Sequence, residues 1–433
     1  MPDRRSFLNS AAAVGFTTNL FTGQVRGAND KIQAAFIGMG KMGRGNLGHA
    51  MKQENLVPVA VCDVFPRNLD WAVAMADKNP HGAKVRAIRD FREIIADKSI
   101  DVVNISTPDH WHAYMTVEAC KAGKDVYVEK PICVTVEEGQ QMVKAARKYN
   151  RVVQAGTMQR SQPHYQELTR RIREGLIGDV TYVRTGNHGY IPPEGIGAPP
   201  DSEPPAGLDW DLWLGPAPKR PFNANRFGVD PADKYFSNFR WFWDYAGGMM
   251  TDWGIHLLDI VQMAFDEAMP TVVTALGQKR YLTDNRETPD TLEAMYEYPK
   301  FIATYENRYG NNASPFPYGN TAFHGSKGTL YCDRSGYKVI PLKDSGLQEI
   351  YVKSTGGGND AHWKNFLECV KSRQKPISDI EVCHKSTTTC LLANVALRSK
   401  LRLDWDPATE KLAQSDARKY LSREARKPWK IVV

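Results

Sequence analysis

The sequence is poor in cysteine, in long apolar runs and in charge of one sign, and each absence excludes a class of protein. Its seven cysteines among 433 residues are odd in number and form no C-x-x-C pair, which argues against a disulfide framework or a zinc site. No run of about 18 apolar residues is present, so no segment is predicted to span a membrane. The net charge of +7 is mild and scattered, which argues against a nucleic acid partner.

The chain is long enough for two domains, and the order of its segments predicts a boundary near residue 153. Over residues 31–153 short apolar strands alternate with helices, which predicts a parallel sheet covered on both faces. Over residues 154–433 strand-like runs follow one another, which predicts a largely antiparallel sheet. A long proline-rich loop is expected at residues 191–221, and most cysteines are expected to be buried as small hydrophobic side chains.

The first 28 residues have the pattern of an export signal. Arg4 and Arg5 precede Phe7 and Leu8, and a weakly apolar, alanine-rich run follows. This pattern resembles a twin-arginine signal, which predicts the twin-arginine export machinery as a partner and a periplasmic or otherwise exported location. Since that route carries folded proteins, it suits a chain that acquires a nucleotide in the cytoplasm. The alternative is a disordered basic tail.

The segment after the first predicted strand has the spacing of a dinucleotide-binding turn. Gly38, Gly40 and Gly43 follow a G-x-G-x-x-G pattern between a strand and a helix, which predicts a Rossmann-type site for NAD. Asp63 ends the next strand, where a carboxylate favours the ribose hydroxyls of NAD over the 2′-phosphate of NADP. Arg67 would soften that preference. The remaining turn residues predicted to contact the cofactor are Met39, Lys41 and Met42.

Four motifs, taken in order, carry a resemblance to a known family. They are Gly38-x-Gly40-x-x-Gly43, Thr107-Pro108, Glu129-Lys130-Pro131 and Asp252-x-Gly254-x-His256-x-x-Asp259. With these motifs the chain resembles the glucose-fructose oxidoreductase and inositol dehydrogenase family, often called Gfo/Idh/MocA. The resemblance implies a Rossmann domain followed by an α/β domain with a large, mostly antiparallel sheet, whose open face often serves oligomerisation. It also implies oxidation or reduction of sugars and cyclitols with NAD(P).

The resemblance places Lys130 beside the nicotinamide, with Asp252 and His256 across the same cleft. A histidine can take a hydroxyl proton near neutral pH, and a lysine ammonium can stabilise charge on the reacting oxygen. Asp252 would orient the imidazole or bind a neighbouring hydroxyl, Asp259 would be structural or supporting, and the bond before Pro131 would be cis. The alternatives are a polar pair satisfied inside the core and a metal site; we predict no metal.

The same motif lies in an otherwise apolar run, residues 247–261. Spacings of four and three residues put Asp252, His256 and Asp259 on one face of a helix. We therefore predict a buried helix whose polar stripe has partners or faces a cleft.

Further residues are expected to contact the cofactor or the substrate, although each also has an ordinary structural explanation. The predicted cofactor contacts are Ser106, Thr107, Pro108, His110, Trp111, His112, Glu129, Lys130 and Gln159. The predicted substrate contacts are Arg160, His188, Arg240 and Trp243. The aromatic-rich runs around Trp210, Trp213 and Trp241 are expected to fasten the long loop, and a sugar-stacking platform is the alternative.

Together these features predict an NAD(P)-dependent oxidoreductase that acts on a secondary hydroxyl of a sugar, glycoside or cyclitol. Because free NAD is scarce outside the cytoplasm, an exported enzyme is expected to keep its cofactor tightly bound. One alternative is an NAD-dependent glycoside hydrolase or lyase that works through a transient 3-keto intermediate. A second is a nucleotide-sensing or scaffold protein without catalysis, against which Lys130 and His256 argue.

Overall fold

The computed structural model describes residues 31–228 and 238–433, and residues 31–433 form one compact unit. The predicted export signal at residues 1–28 lies outside the described residues. The first part of the unit is a six-stranded parallel sheet in the order β3-β2-β1-β4-β5-β6. Its strands are β1 (Ile32–Ile37), β2 (Leu56–Cys62), β3 (Arg86–Ile88), β4 (Val102–Ile105), β5 (Asp125–Val128) and β6 (Val153–Ala155).

Five helices alternate with these strands. They are α1 (Lys41–Ala50), α2 (Pro66–Ala76), α3 (Phe91–Ala96), α4 (Asp109–Lys121) and α5 (Val136–Lys148). Every residue of β4 and β5 is buried, as expected for central strands covered on both faces. The chain runs outward from β1 in both directions along the sheet, so a crevice opens at the carboxyl ends of β1 and β4, where this sheet topology binds ligands.

The second part is a ten-stranded mixed sheet in the order β14-β13-β12-β11-β7-β10-β9-β8-β15-β16. Its strands are β7 (Val180–His188), β8 (Val272–Gln278), β9 (Thr291–Glu297), β10 (Ile302–Arg308), β11 (Thr321–Gly325), β12 (Gly328–Asp333), β13 (Gly336–Pro341), β14 (Ile350–Lys353), β15 (Leu403–Asp406) and β16 (Lys411–Leu412). Only β7 and β10 pair in parallel among the described strands of this sheet. The predicted fold class, a Rossmann domain followed by an α/β domain with a mostly antiparallel sheet, is confirmed.

Helices cover one face of the second sheet and leave the other open. The helices of this part are α6 (Pro163–Arg173), α7 (Trp210–Leu214), α8 (Ala224–Phe227), α9 (Gly248–Asp252), α10 (Gly254–Ala264), α11 (Gly358–Ser372) and α12 (Ile380–Ser399). Three 3-10 turns span Met158–Ser161, Asn238–Trp241 and Ser415–Tyr420. Helices α10 and α12 contact β7 and β8, whereas Leu276, Met295 and Ile302 of the opposite face are exposed.

Helix α11 packs on the first sheet although it lies far along the chain. The ring of Trp363 stacks on Tyr127 of β5 at 4.4 Å, and it lies 6.0 Å from the ring of Phe36 of β1. Strand β6 belongs to the first sheet, so that sheet extends two residues past the predicted boundary at residue 153. The two predicted domains therefore share a core, and the second contributes a helix to the first.

The run 247–261 forms two helices instead of the single helix predicted. Helix α9 ends at Asp252 and α10 begins at Gly254, with Trp253 between them. Asp252 accepts hydrogen bonds from Lys130, whereas Asp259 accepts them from Arg160. The three polar residues therefore serve different partners, because the break separates Asp252 from the helix that carries His256 and Asp259.

The structure also bears on the cysteines and on the hydropathy of the helices. All seven cysteines are buried and unpaired, as predicted for small hydrophobic side chains. Within residues 31–228 and 238–433, no helix has both the length and the hydropathy that a membrane span requires.

Candidate active site

A cleft of about 1250 Å³, including space open to solvent, lies at the carboxyl ends of β1, β2, β4 and β5. The first sheet supplies most of its wall, and the second part of the chain supplies Leu212, Trp213, Phe227, Gly228, Phe239 and Arg240. The predicted site residues that line it are Gly38, Gly40, Lys41, Met42, Asp63, Arg67, Ser106, Thr107, Pro108, Trp111, His112, Glu129, Lys130 and Arg240.

The glycine turn is shaped by close backbone contacts at two of its three positions. Gly38 has φ +85°, and a Cβ there would lie 2.6 Å from the backbone nitrogen of Thr107. A Cβ on Gly43 would lie 1.9 Å from the carbonyl oxygen of Gly38. A Cβ on Gly40, in contrast, would meet nothing within 4 Å. Two glycines therefore allow the turn to form, and the third leaves space open beside it.

These features fit a dinucleotide. Helix α1 begins directly after Gly40 with no side-chain cap and no acidic residue in its first turn, whereas Thr135 caps α5. An uncapped helix N-terminus presents backbone amides to an anion such as a pyrophosphate. The hydroxyl of Thr107 lines the same cleft and is buried without a hydrogen-bond partner among the described residues, so it is available to a ligand.

Asp63 binds the glycine turn at Met39 and the start of the segment that follows β2. Its carboxylate accepts hydrogen bonds from the backbone nitrogens of Met39 at 2.7 Å and Phe65 at 2.9 Å. Burial nevertheless raises the pKa of Asp63 to about 6. Beside it, the Arg67 guanidinium lies 4.8 Å from the centre of the Trp71 ring. Both Asp63 and Arg67 line the cleft, at the end where the ribose and adenine of a dinucleotide are expected.

Two side chains tie together the segments that follow β4 and β5. The amide of Asn46, on α1, donates to the hydroxyl of Ser106 at 3.0 Å and to Glu129 at 2.8 Å. The ring of His112 lies 2.8 Å from the carbonyl of Thr107 and 2.7 Å from that of Pro131. Burial lowers the pKa of His112 to about 4, so the ring is neutral and donates to one carbonyl at a time. The role of His112 is to hold the strand ends in place.

Lys130 joins the two parts of the protein at the cleft. Its ammonium donates to Oδ1 of Asp252 at 2.7 Å and to the Asp252 carbonyl oxygen at 3.1 Å. Arg240 donates to the same Oδ1 atom at 2.8 Å. Burial alone would raise the pKa of Asp252, but Arg240 and Lys130 outweigh it and hold the pKa below its usual range. The bond between Lys130 and Pro131 is cis.

His256 lies near this cluster in a neutral form, although neither His256 nor Asp252 is among the residues that line the cleft. Its Nδ1 atom is buried and has no hydrogen-bond partner among the described residues. Burial and the positive charge of Lys130 and Arg334 lower the pKa of His256 well below its usual value. The Gln159 amide donates to the His256 carbonyl oxygen at 3.2 Å, so Gln159 supports α10 and lies outside the lining of the cleft, away from its predicted nicotinamide contact.

Two charged residues of the site were not predicted. Asp109 is buried in the cleft at the start of α4; burial raises its pKa to about 7, against the opposing effect of Arg240 and Lys130. The sequence offers only a weak signal there, because an acidic residue in the first turn of a helix is common. Arg334 lies between β12 and β13, and its guanidinium is 4.8 Å from the Trp253 ring. A turn residue in a strand-rich region carries no signal of this kind.

Several predicted contacts lie elsewhere. His110 is not in the cleft lining: its Nε2 is 3.1 Å from the carbonyl oxygen of Trp213, and its ring packs 5.1 Å from that of Tyr245. Trp111 does line the cleft, and its indole donates to the same Trp213 carbonyl at 2.9 Å. Trp213 also stacks on Trp210 at 4.6 Å. These aromatic side chains therefore fasten the loop 191–221 to α4.

Arg160 has a structural partner set that corrects its predicted role in substrate binding. Its guanidinium donates to both carboxylate oxygens of Asp259 at 2.8 Å and to Glu267 at 2.7 and 2.9 Å. With all three guanidinium nitrogens engaged and the side chain buried, Arg160 is held by these carboxylates and lies outside the lining of the cleft. Asp259 also accepts a hydrogen bond from the Ser386 hydroxyl at 2.5 Å, so its role is structural. No group of three or more histidine, cysteine or acidic residues is arranged for a metal within the described ranges.

His188 and Trp243 likewise lie away from the cleft. His188 ends β7, and its Nε2 is 3.3 Å from Glu306 of β10. The register of β7 and β10 puts both residues on the open face of the second sheet. Trp243 lies under the Arg398 guanidinium at 5.1 Å. Of the four predicted substrate contacts, only Arg240 lines the cleft.

The fold and this site define a class: a two-part α/β protein with a dinucleotide cleft of the Rossmann type. Comparison with known families agrees. Residues 32–157 match the oxidoreductase family with an NAD-binding Rossmann fold, and residues 198–431 match the C-terminal alpha/beta domain of the same oxidoreductase family. The chain belongs to the Gfo/Idh/MocA oxidoreductase family.

Curated relatives align with part of the chain. Over 190 residues the chain is 31% identical to a glycosyl hydrolase family 109 protein of a Shewanella species, covering 42% of this chain and 40% of the relative. Over 159 residues it is 33% identical to inositol 2-dehydrogenase of Salmonella paratyphi B, covering 36% of this chain and 46% of the relative. The matches thus span less than half the length of these two relatives.

Solved structures share the whole fold at low identity. The WlbA dehydrogenase from Bordetella pertussis, in complex with NADH and UDP-GlcNAcA, superposes with a TM-score of 0.64 at 18% identity, covering 87% of this chain and 99% of that chain. The aldose-aldose oxidoreductase from Caulobacter crescentus, complexed with glycerol, gives a TM-score of 0.64 at 20% identity, covering 86% and 99%. These similarities establish the fold.

Proposed function

We propose that the protein is an NAD-dependent oxidoreductase acting on a secondary hydroxyl of a sugar, glycoside or cyclitol. The observation that carries the proposal is the position of Lys130. Its ammonium lies in the same cleft as the glycine turn and is held 2.7 Å from Asp252 of the second part of the chain. A positive hydrogen-bond donor at the carboxyl end of β5 lies where this fold class binds its ligands. Membership of an oxidoreductase family and a relative named inositol 2-dehydrogenase support the same proposal.

The residues divide the chemistry at the substrate oxygen between them. A bound dinucleotide supplies the acceptor for the hydride that leaves the substrate carbon. Lys130 donates a hydrogen bond to the reacting oxygen and stabilises the negative charge that develops there. His256 is neutral because of its lowered pKa, and its unpartnered Nδ1 accepts the hydroxyl proton. Asp252 holds the Lys130 ammonium in position while the hydride leaves the substrate carbon and the proton leaves the hydroxyl.

A screen of carbohydrates tests this proposal. The purified protein is mixed with sugars, cyclitols and 3-keto-sugars while the near-ultraviolet absorbance of reduced nicotinamide is followed. We expect at least one hydroxyl compound to raise the absorbance and its keto counterpart to lower it. Protein that binds NAD but leaves the absorbance unchanged with every compound would contradict the proposal.

We further propose that NAD is preferred over NADP and remains tightly bound during purification. The Asp63 carboxylate lines the cleft, and a 2′-phosphate beside it would meet negative charge. The nucleotide released by denaturing freshly purified protein is identified by chromatography. NAD or NADH in near-equal molar amount to protein is the expected result, and protein free of nucleotide is the contrary one.

A second candidate is cleavage of a glycoside through a transient 3-keto intermediate. The observation that favours it is the 31% identity to a glycosyl hydrolase family 109 protein. Retention of Lys130, Asp252 and His256 favours net redox chemistry instead. Incubation with nitrophenyl glycosides separates the two, because cleavage releases nitrophenol with no net NADH, whereas simple oxidation yields NADH from a glycoside that stays intact.

Export by the twin-arginine route is also proposed, on the basis of Arg4 and Arg5 in the sequence. Residues 1–28 are fused to a folded reporter, and its location is compared with that of the fusion carrying R4K and R5K together. Export of the first fusion only is expected. Equal retention of both inside the cell would refute the proposal.

The open face of the second sheet is proposed to join copies of this chain. Leu276 is 80% exposed and Ile302 is 42% exposed on that face, and contact with a second copy would remove both side chains from water. Light scattering on L276R and I302R is expected to give a smaller assembly than the wild type. V432R, a change at an exposed residue near the C-terminus, serves as control. A wild-type mass equal to one chain would overturn the proposal.

A further inference from the structure

Arg334 is a cation beside the candidate active site that has no carboxylate partner in the part of the chain that the structure describes. Its Nε donates to Oε1 of Gln159 at 3.1 Å, and its guanidinium lies 4.8 Å from the Trp253 ring. No acidic side chain forms an ion pair with it within residues 31–228 and 238–433. In contrast, Arg160 and Arg240, which also contact α9 or α10, each pair with a carboxylate.

Its neighbours place Arg334 next to the proposed proton acceptor. Gln159 contacts both groups, since its amide nitrogen donates to the His256 carbonyl oxygen at 3.2 Å while its oxygen accepts from Arg334. The Trp253 ring, which the guanidinium overlies, is also 5.8 Å from the His256 ring. Arg334 is exposed to solvent, whereas His256 is buried.

The local charges are unbalanced in a way that favours an anion. Lys130 and Arg240 both donate to Oδ1 of Asp252. The other acidic side chains of this cluster, Asp109 and Glu129, both have a pKa raised by burial. Arg334 is a third positive charge in this cluster: it feels the charge of Asp252 but forms no ion pair with a described acidic side chain. A guanidinium with free terminal amino groups matches a carboxylate, to which it can donate two parallel hydrogen bonds.

We infer that the substrate is a sugar acid, a uronic or aldonic acid whose carboxylate binds Arg334 while its reacting hydroxyl lies between Lys130 and His256. Stacking on Trp253 holds the guanidinium flat, and the Gln159 contact fixes its Nε, so the two terminal amino groups are left to face the ligand. One guanidinium supplies the donors that one carboxylate needs, whereas a phosphate dianion takes more. This inference rests on the proposed carbohydrate oxidoreductase activity and narrows its substrate class.

The test compares acid and neutral members of matched pairs on the NAD-loaded protein. Glucuronate, galacturonate and mannuronate are titrated calorimetrically beside glucose, galactose and mannose. In at least one pair we expect the acid to bind tenfold or more tightly than the neutral sugar, the effect of a charged hydrogen-bonded partner of about 1.4 kcal/mol or more. R334Q is expected to remove that difference, and R334K to keep part of it, because lysine retains the charge without the two-donor geometry.

The control variant is R402Q, which makes the same charge change at a surface arginine paired with Asp404. It should leave the acid preference intact, and all three variants should bind NAD as the wild type does. Neutral sugars that bind and reduce NAD as well as the acids, or an acid preference unchanged in R334Q, would overturn the inference but leave the proposed function standing. Failure of all six compounds to bind to NAD-loaded protein would count against both.

Discussion

Replacing Gly40 with alanine tests whether the space beside this residue is needed for cofactor binding and not for folding. In the structure a Cβ on Gly40 meets nothing within 4 Å, and its φ of −65° suits any residue. Alanine gains about 0.4–1 kcal/mol through the unfolded chain but loses a similar amount as a helix N-cap. We therefore expect the free energy of unfolding of G40A, measured without nucleotide, to stay within about 1 kcal/mol of the wild type.

Cofactor affinity should respond quite differently. The new methyl group would occupy the space that we assign to the pyrophosphate, next to the uncapped start of α1. A loss of tenfold or more in NAD affinity is expected, which corresponds to about 1.4 kcal/mol. The assay is calorimetric titration of NAD into protein freed of nucleotide, beside urea unfolding of the same preparations.

Two neighbouring glycines provide the matched comparisons. Gly43 to alanine would put a Cβ 1.9 Å from the Gly38 carbonyl oxygen, so the turn must move and stability should fall by about 1–3 kcal/mol together with affinity. A Cβ on Gly45, also on α1, would meet nothing within 4 Å. G45A should gain up to about 1 kcal/mol of helix stability with NAD affinity unchanged. Wild-type NAD affinity in G40A would refute the assignment of the pyrophosphate site.

Two further predictions concern buried charges. Burial raises the pKa of Asp109 from 3.8 to about 7, so its contribution to stability is complete below pH 4 and is lost as the pH rises to 7. The free energy of unfolding of D109N, measured by thermal unfolding, should therefore fall less than that of the wild type over this interval, by up to about 4 kcal/mol. Parallel curves for the two proteins would contradict the burial of a titrating carboxyl group. R160M leaves Asp259 and Glu267 without their partner, so its free energy of unfolding in urea should be about 3–5 kcal/mol lower than that of the wild type, with NAD affinity unchanged. A variant of normal stability that no longer binds substrate would instead support the predicted role of Arg160 in substrate binding.

Features encoded by local sequence could be predicted well. The parallel sheet follows from alternating apolar strands and helices, and the turn at Gly38, Gly40 and Gly43 follows from glycine spacing between a predicted strand and a predicted helix. Asp63 was predictable because the end of the second strand in such a unit has a fixed place beside the turn. The position of Lys130 came from the resemblance of its motif, since nothing in the local pattern identifies which strand-end lysine enters a cleft.

Features that depend on distant partners could not be predicted. Arg160 is engaged by Asp259 and Glu267, which lie about a hundred residues further along the chain, so its ion pairs have no local signature. His188 points to the open face because of the register between β7 and β10, which sequence periodicity within β7 alone does not determine. Arg334 is brought beside His256 by a turn between two strands, and only the assembled sheet shows that juxtaposition.

The central claim, that Lys130 acts on the substrate oxygen in a cleft that holds NAD, is tested most directly by K130M. The variant and the wild type are loaded with NAD, mixed with a sugar that reduces the wild-type cofactor, and followed by the absorbance of reduced nicotinamide. We predict that K130M retains bound NAD, since the glycine turn and Asp63 are unchanged, but loses reduction by a factor of about 100 or more, the effect of removing one preorganised donor. Reduction by K130M at the wild-type rate would contradict the account.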